Sequence, residues 1–239
     1  MTKIVLVVII IVDRRSVNID GGYVMRITKK PEERKLEIMD AAAMLFTTKG
    51  YVKTTINDIL LEVGIAKGTF YYHFQSKEEV MDAIVMKFIN QGVAAAEHIA
   101  KDTTLNAHEK LFRILGAQSH ETDQKGDMIE QLHQINNAEM HQKSLVETIL
   151  RLTPIITAVV EQGIREGIYN TRSPREVVEF LLVSSQFLLD RGIFRWSGEE
   201  LVKKAHALAY MIEKTLGAQE GSFAYIPMMY ESMVAEEEE

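Results

Sequence analysis

The fold of this chain is decided by residues 67–79, which read KGTFYYHFQSKEE. Ser76 and Glu79 have the spacing of a capping box, in which the two side chains bind the free N–H groups at the start of a helix. This pattern predicts a long helix from residue 77 to about residue 100. The residues before the cap leave space only for a very short helix at 66–72.

The segment upstream, GYVKTTINDILLEVGI at residues 50–65, predicts another helix and a tight turn. Thr55 and Asp58 are spaced like a second cap, and apolar residues then follow at helical intervals until Gly64, which ends the segment. Before it, Pro31 is suited to the first position of a helix over residues 31–49. Two helices joined by a turn that contains glycine are typical of a helix-turn-helix, whose second helix enters the major groove of DNA.

Composition favours an all-α protein and excludes several kinds of chemistry. The 239 residues are 46% hydrophobic and include only 14 glycines, 4 prolines and no cysteine. The apolar content is sufficient for a sizeable core, and the scarcity of turn-forming residues favours helices. Without cysteine there are no disulfides, thiolate metal sites or cysteine nucleophiles. The sequence also lacks phosphate-loop, nucleophile-elbow and His-Glu-x-x-His motifs, so we predict that the chain is not an enzyme.

The charge is divided unevenly along the chain. The net charge of −7 combines +1 in residues 1–24, +3 in residues 25–77 and −11 in residues 78–239. A small basic segment joined to a large acidic body indicates that only one end of the protein contacts a polyanion.

Residues 34–84 resemble the DNA-binding domain of the TetR family of bacterial transcriptional regulators. The resemblance is carried by the ordered segments 50–51, 54–59, 63–65 and 67–79. It implies an N-terminal three-helix helix-turn-helix domain and a C-terminal helical domain for ligand binding and dimerisation. It further implies a cytoplasmic, homodimeric repressor of a palindromic operator of double-stranded DNA. A small-molecule effector is expected to release the repressor from the operator through motion of the long helix after Ser76. The alternative is a DNA-binding regulator without a small-molecule effector, controlled by a protein partner, and a solid core among the middle helices would favour it.

By this resemblance, a set of polar, aromatic and glycine residues contacts DNA: Thr55, Lys67, Gly68, Thr69, Tyr71, Tyr72, His73 and Lys77. Threonine hydroxyls and lysine ammonium groups can bind phosphates, and glycine lets the backbone approach the duplex closely. In the alternative interpretation one of the two tyrosines packs on the first helix and the histidine caps the short helix. Ala66 stands where the family often has serine, so the recognition helix is expected to lack a side-chain cap. Leu60 and Val63 replace residues that are usually alanine.

Beyond residue 80 the sequence predicts further helices at 106/107–119, 126–136, 139–167, 174–191 and 198–216. We therefore divide the chain into a DNA-binding domain at 25–77, a ligand-binding and dimerisation domain at 78–217, and a tail at 218–239. The aromatic part of the tail either packs on the last helix or is loose.

Residues 1–24 are expected to be a non-native or disordered extension. Their aliphatic run also fits a signal-peptide core, whereas Gly21-Gly22 fits a translated ribosome-binding sequence ahead of a true start at Met25.

The last two predicted helices are the most apolar, and by resemblance they form a four-helix dimer interface. The predicted interface residues are Val177, Leu181, Ser184, Leu188, Leu201, Ala205, Leu208 and Ile212. The alternative is that these helices are covered within one subunit.

A ligand pocket is expected among the middle helices, where apolar walls alternate with a few polar groups. The candidates are Met86, Phe112, His133, Met140, His141 and Phe187, although a methionine or phenylalanine at helical spacing is more often a core residue. The histidines have neither the spacing nor the nearby carboxylates of a metal site, so we expect no metal and no cofactor.

Overall fold

The computed structural model describes residues 29–119 and 138–237. Within these ranges the regular elements are all helical, which confirms the predicted fold class. The helices are α1 (Pro31–Lys49), α2 (Ile56–Val63), α3 (Lys67–His73), α4 (Lys77–Lys101), α5 (Ala107–Ser119), α6 (Ala138–Arg165), α7 (Pro174–Val183), α8 (Gly198–Leu216) and α9 (Tyr225–Glu237). The extension predicted at 1–24 and the helix predicted at 126–136 lie outside the described residues.

One predicted helix differs from the structure, and the C-terminal tail forms a helix that was not predicted. The helix predicted at 174–191 is α-helical only to Val183 and continues as a π-helical turn at Ser184–Leu188. The wider turn ends the α-helical hydrogen-bond pattern early, and a nine-residue connection then leads to α8. The tail forms α9, so the segment after residue 217 is not simply a loose end.

The first core joins α1, α2, α3 and the beginning of α4. Phe46, Phe70 and Phe74 are almost completely buried at its centre. Gly64 ends α2 in the left-handed conformation, with φ of 71°, and its N–H donates to the carbonyl of Leu60 at 2.9 Å. This conformation favours glycine and turns the chain sharply into α3, as the sequence predicts.

The second core is built from α5 to α9 and the later part of α4. Its buried members include Leu152, Val160, Ala205 and Leu216. The helix α4 contributes Val80 to Val85 to the first core and then Val93 and Ala96 to the second. One continuous helix therefore carries part of both hydrophobic cores.

The C-terminal segment packs on α8. Phe223 is 1% exposed, and its backbone N–H donates to the buried carboxylate of Glu213 at 3.0 Å. The rings of Phe223 and His108 lie 4.9 Å apart, which connects this segment with α5. The open question about the tail is thus answered in favour of packing, as far as Glu237.

No helix in the described ranges combines the length and the apolar character needed to cross a bilayer.

Candidate DNA-binding surface and ligand groove

The start of α2 is organised by Thr55. Its hydroxyl accepts from the Asp58 N–H at 3.2 Å, and its own N–H donates to the Asp58 carboxylate at 2.8 Å. The hydrogen bond from Lys49, followed by those from Thr55, lowers the pKa of Asp58 to about 2. The predicted capping box is therefore present, and it fixes the helix end at which Thr55 is predicted to contact a phosphate.

The start of α3 is open and unobstructed. Ala66 precedes it without a side-chain cap, as expected. A Cβ added to Gly68 would meet no other atom within 4 Å. The ammonium of Lys67 lies 5.7 Å from the centre of the Tyr71 ring, and Thr69 is half-buried. The backbone of this turn can therefore come close to a flat partner such as a DNA strand.

The aromatic residues of α3 divide between packing and exposure. Tyr71 contacts Phe70 edge to face, with ring centres 5.4 Å apart. Tyr72 is 74% exposed and lies edge-on to the ring of His73 at 4.9 Å. Burial, followed by the charges of Lys35 and Arg34, lowers the pKa of His73, so that its ring is neutral near pH 7. Tyr72 is thus the most accessible aromatic group of the predicted set.

Lys77 is engaged within the domain. Its ammonium donates to the carbonyl of Tyr51 at 2.8 Å and to that of Thr54 at 3.0 Å. It also lies 4.1 Å from the centre of the Tyr51 ring. An ammonium has three N–H donors, and two are used here to join α4 to the turn before α2. The structure therefore gives Lys77 a positioning role that the sequence did not reveal, while its phosphate contact stays a prediction.

A groove of about 480 Å³ separates the first half of α6 from the end of α7. It is lined by His141, Gln142, Leu145, Val146, Ile149, Val183, Gln186, Phe187 and Ile193. Most of these residues were missed because no single motif contains them: the groove forms only where two helices that are distant in sequence meet. Within the described residues, no three His, Asp or Glu side chains converge as a metal site would require.

The polar end of the groove is held by a hydrogen bond between a histidine and a carboxylate. His141 Nε2 lies 2.8 Å from Asp190 Oδ2, and both side chains are largely buried. The other carboxylate oxygen of Asp190 accepts from the N–H groups of Gly192 at 2.7 Å and Ile193 at 3.1 Å. Asp190 therefore connects α6 with the turn that carries Ile193, one of the groove walls.

The predicted pocket residues do not form one site. His141 and Phe187 line the groove, and His133 lies outside the described residues. Met140 instead belongs to the first core, and Phe112 packs edge-on against Tyr225 at 4.9 Å. Met86 is half-buried but does not line the groove. Phe112 and Met140 do not line this groove, because helical spacing alone does not reveal which neighbours a side chain meets, and their place in a ligand pocket stays a prediction.

The predicted dimer residues also separate into two groups. Leu201, Ala205 and Ile212 of α8 are buried within the chain. These three residues are therefore covered inside one subunit, which is the alternative to an interface that the sequence left open. Val177, Leu181, Ser184 and Leu208 are half-buried. The exposed apolar side chains include Phe180 of α7, at 75%, and Leu188 of the π-helical turn that follows it. Exposed apolar side chains also lie on α8, at Tyr210 and Met211, and a dimer interface on these helices stays a prediction.

The fold and the open face of α3 define a helix-turn-helix DNA-binding protein with a separate helical domain. Comparison with family models gives the same result in finer terms. Residues 38–84 match the model described as "Bacterial regulatory proteins, tetR family", and residues 121–211 match "Tetracyclin repressor-like, C-terminal domain". The chain belongs to the TetR family of transcriptional regulators, a family of DNA-binding proteins and not of enzymes.

Individual relatives agree with this assignment. The uncharacterized HTH-type transcriptional regulator YhgD of Bacillus subtilis is 28% identical over 187 residues, 76% of this chain and 93% of that protein. The HTH-type transcriptional repressor KstR2 of Mycobacterium tuberculosis is 35% identical over 86 residues, but the match covers only 36% of this chain and 42% of the repressor. A TetR transcription regulator from Haloarcula marismortui shares the fold, with a TM-score of 0.60 at 18% identity over 77% of this chain and 99% of that structure.

Proposed function

We propose that this protein is a cytoplasmic repressor that binds a palindromic operator as a homodimer and is released by a small molecule bound in the groove between α6 and α7. The observation that carries the proposal is the groove itself. Its volume of about 480 Å³ falls within the range of small-molecule sites. A filled junction between these helices would instead have favoured control by a protein partner.

The groove is suited to an uncharged and mainly apolar effector. Leu145, Val146, Ile149, Val183, Phe187 and Ile193 provide apolar walls. Gln142 and Gln186 provide amide groups that can donate and accept hydrogen bonds. The one ionisable lining residue, His141, is paired with Asp190. A charged ligand would therefore lose hydration without gaining an unpaired countercharge.

A test of the effector site uses the neutral dye N-phenyl-1-naphthylamine, whose two aromatic groups and N–H have the expected chemistry. Trp196 is the only tryptophan in the chain, and its ring stacks on Phe194, which in turn contacts Phe187. Binding in the groove should therefore change the Trp196 fluorescence, and it should weaken binding to an operator selected from random duplexes.

Matched substitutions locate the dye. Val146→Asp places a charge on the groove wall, and we expect it to weaken dye binding at least about tenfold, because an unpaired carboxylate would be desolvated. Leu150→Asp introduces the same charge one turn later on α6, outside the groove, and should leave dye binding unchanged. Equal effects of the two substitutions, or a dye that binds without weakening operator binding, would refute the effector site.

The proposed dimer uses the exposed face of α7. A Phe180 side chain that is 75% exposed on an apolar helix is typical of a surface covered by another subunit. Phe180→Glu should halve the mass measured by light scattering and weaken operator binding. Leu61→Glu changes an equally exposed apolar residue on α2, and the mass should stay that of the wild type. A wild-type mass for Phe180→Glu would place the dimer interface elsewhere.

A further inference from the structure

The first turn of α6 takes part in both cores of the molecule. Met140 is 9% exposed and is a member of the first core, together with Met81, Ile84 and Val85 of α4. The next residue, His141, lines the groove. Two adjacent residues of one helix therefore face the first core and the candidate effector site.

The groove side of this turn is fixed by polar contacts to residues 190–193, which follow α7 in the chain. His141 Nε2 is hydrogen-bonded to the Asp190 carboxylate, whose other oxygen accepts from the backbone N–H of Ile193, another wall of the groove. A ligand that separates the groove walls must therefore either break this largely buried hydrogen bond or move α6 and the 190–193 turn together. Breaking it removes a donor from a largely buried carboxylate, a cost that is avoided when the helix and the turn move together.

The opposite side of the turn is fixed to α4. The ammonium of Lys143 contacts both carboxylate oxygens of Asp82, at 2.7 and 2.9 Å. Asp82 lies next to Met81, which is buried in the first core. Because protein cores are closely packed, a shift of Met140 cannot be absorbed without movement of its neighbours in that core.

We propose that residues 140–143 are the element that couples occupancy of the groove to the DNA-binding domain. The proposal rests on the proposed effector site and adds how occupancy of that site is transmitted to the DNA-binding domain. His141 responds to the ligand through its connection with Asp190. Met140 and Lys143 transmit the displacement to the beginning of α4, and hence to the core that supports α3. The coupling requires only that the ligand binds the displaced arrangement more tightly.

The experiment measures operator affinity with and without saturating N-phenyl-1-naphthylamine in the full-length protein and in four variants. Met140→Ala removes the buried contact, whereas Met140→Leu keeps an apolar side chain of similar volume. Lys143→Gln removes the ion pair with Asp82 at an exposed position, where loss of folding is not expected. Arg151→Gln is the matched control, because it removes another α4–α6 hydrogen bond, to Asn90 at 2.5 Å, further from the first core.

Allosteric coupling typically changes affinity about 5- to 150-fold, and we expect the dye to weaken operator binding of the wild type, Met140→Leu and Arg151→Gln within that range. In Met140→Ala the dye should still bind, as reported by Trp196, but should weaken operator binding less than about twofold, well below the usual coupling range. Lys143→Gln should fall between these values. If Met140→Ala does not fold, the comparison of Lys143→Gln with Arg151→Gln decides the question.

The possible failures can be told apart. If the dye does not bind the wild type in the groove, or binds without weakening its operator complex, the proposed effector site is wrong. The proposed coupling element is then refuted as well. If the dye releases the wild type, Met140→Ala and Lys143→Gln to the same extent, the effector site stands and the coupling element alone is refuted.

Discussion

Replacing Gly68 by alanine should make the protein more stable and a weaker DNA binder. Gly68 is the second residue of α3, and a Cβ placed there would meet no atom within 4 Å in the free protein. Its φ is not positive, so alanine fits the backbone without strain. Glycine in a helix interior is about 0.8–1.0 kcal/mol less favourable than alanine, and the gain so close to the helix end should be about 0.5–1 kcal/mol. In a chain of this size, that gain raises Tm by roughly 1–4 °C.

The expected loss of DNA affinity has a separate cause. The empty space over Gly68 is available for the duplex, and a methyl group there would separate the α3 backbone from it. A backbone held away from a groove loses several contacts at once, and a cost of about 1.4–3 kcal/mol corresponds to a decrease of about 10- to 150-fold. Stability is measured by thermal and urea unfolding, and affinity by fluorescence anisotropy on the selected operator at fixed salt.

A matched control separates these two effects. Gly116 is in the helix α5, and a Cβ added to it would likewise meet no atom within 4 Å. Gly116→Ala should give a similar gain in stability with operator affinity unchanged within about twofold. If Gly68→Ala binds the operator as tightly as the wild type, the start of α3 does not approach DNA closely and the assigned surface is wrong. If both variants lose affinity, the loss reflects rigidity or folding and not the duplex contact.

Four further predictions concern individual contacts. Lys67→Gln should make the negative slope of log K against log salt concentration less steep by about 0.9, because one phosphate contact is lost. Lys77→Gln should lower the free energy of unfolding by about 1–3 kcal/mol, because two backbone carbonyls lose their donor. A normal urea midpoint for Lys77→Gln would contradict its positioning role. Asp58 has its pKa lowered to about 2 in the folded state, so its contribution is present above about pH 4, near the unfolded pKa, and is lost as pH falls towards 2. Asp58→Asn should therefore reduce the acid-side fall of Tm between pH 4 and 2, and an unchanged pH profile would show that the contacts of Asp58 do not contribute. Phe223→Ala should lower the free energy of unfolding by about 3–5 kcal/mol, because the ring is almost fully buried, and a loss below about 1 kcal/mol in urea unfolding would show that the C-terminal segment is not part of the core.

Local signals in the sequence were sufficient for most helix starts. Thr55 and Ser76 cap α2 and α4 as their spacing predicts, and Gly64 adopts the left-handed conformation expected of a helix end. The limits of α8 follow from residues 197–217 in the same way, since Ser197 caps its start and Gly217 ends it. These features need only neighbouring residues, and therefore a single sequence contains them.

The direction of an apolar stripe was not predictable in the same manner. The stripe of Leu201, Ala205 and Ile212 was interpreted as a surface between subunits, but it faces the core of its own chain. Helical periodicity shows that one face must be covered, without showing what covers it. The groove depends on the same kind of distant contact, since His141 and Phe187 are 46 residues apart in sequence and line it together.

Under the proposed mechanism, the long helix α4 carries a change at the groove to the DNA-binding surface. A 25-residue helix such as α4 is about 37 Å long at 1.5 Å per residue. Lys77 fixes its first residue to the carbonyls that precede α2, so the end of the helix cannot move without the turn that carries Thr55. A tilt of about 5° displaces one end of such a helix by about 3 Å relative to the other. In a dimer whose recognition helices must match half-sites about 34–36 Å apart, a displacement of that size on each side is comparable to a full base-pair step. Both contacts lie in the first third of α4: Lys77 holds its first residue, and Met140 packs on Met81, Ile84 and Val85 in the next two turns. A displacement of residue 140 would therefore enter the helix close to the DNA-binding domain, and the variants at Met140 and Lys77 test these two attachments separately.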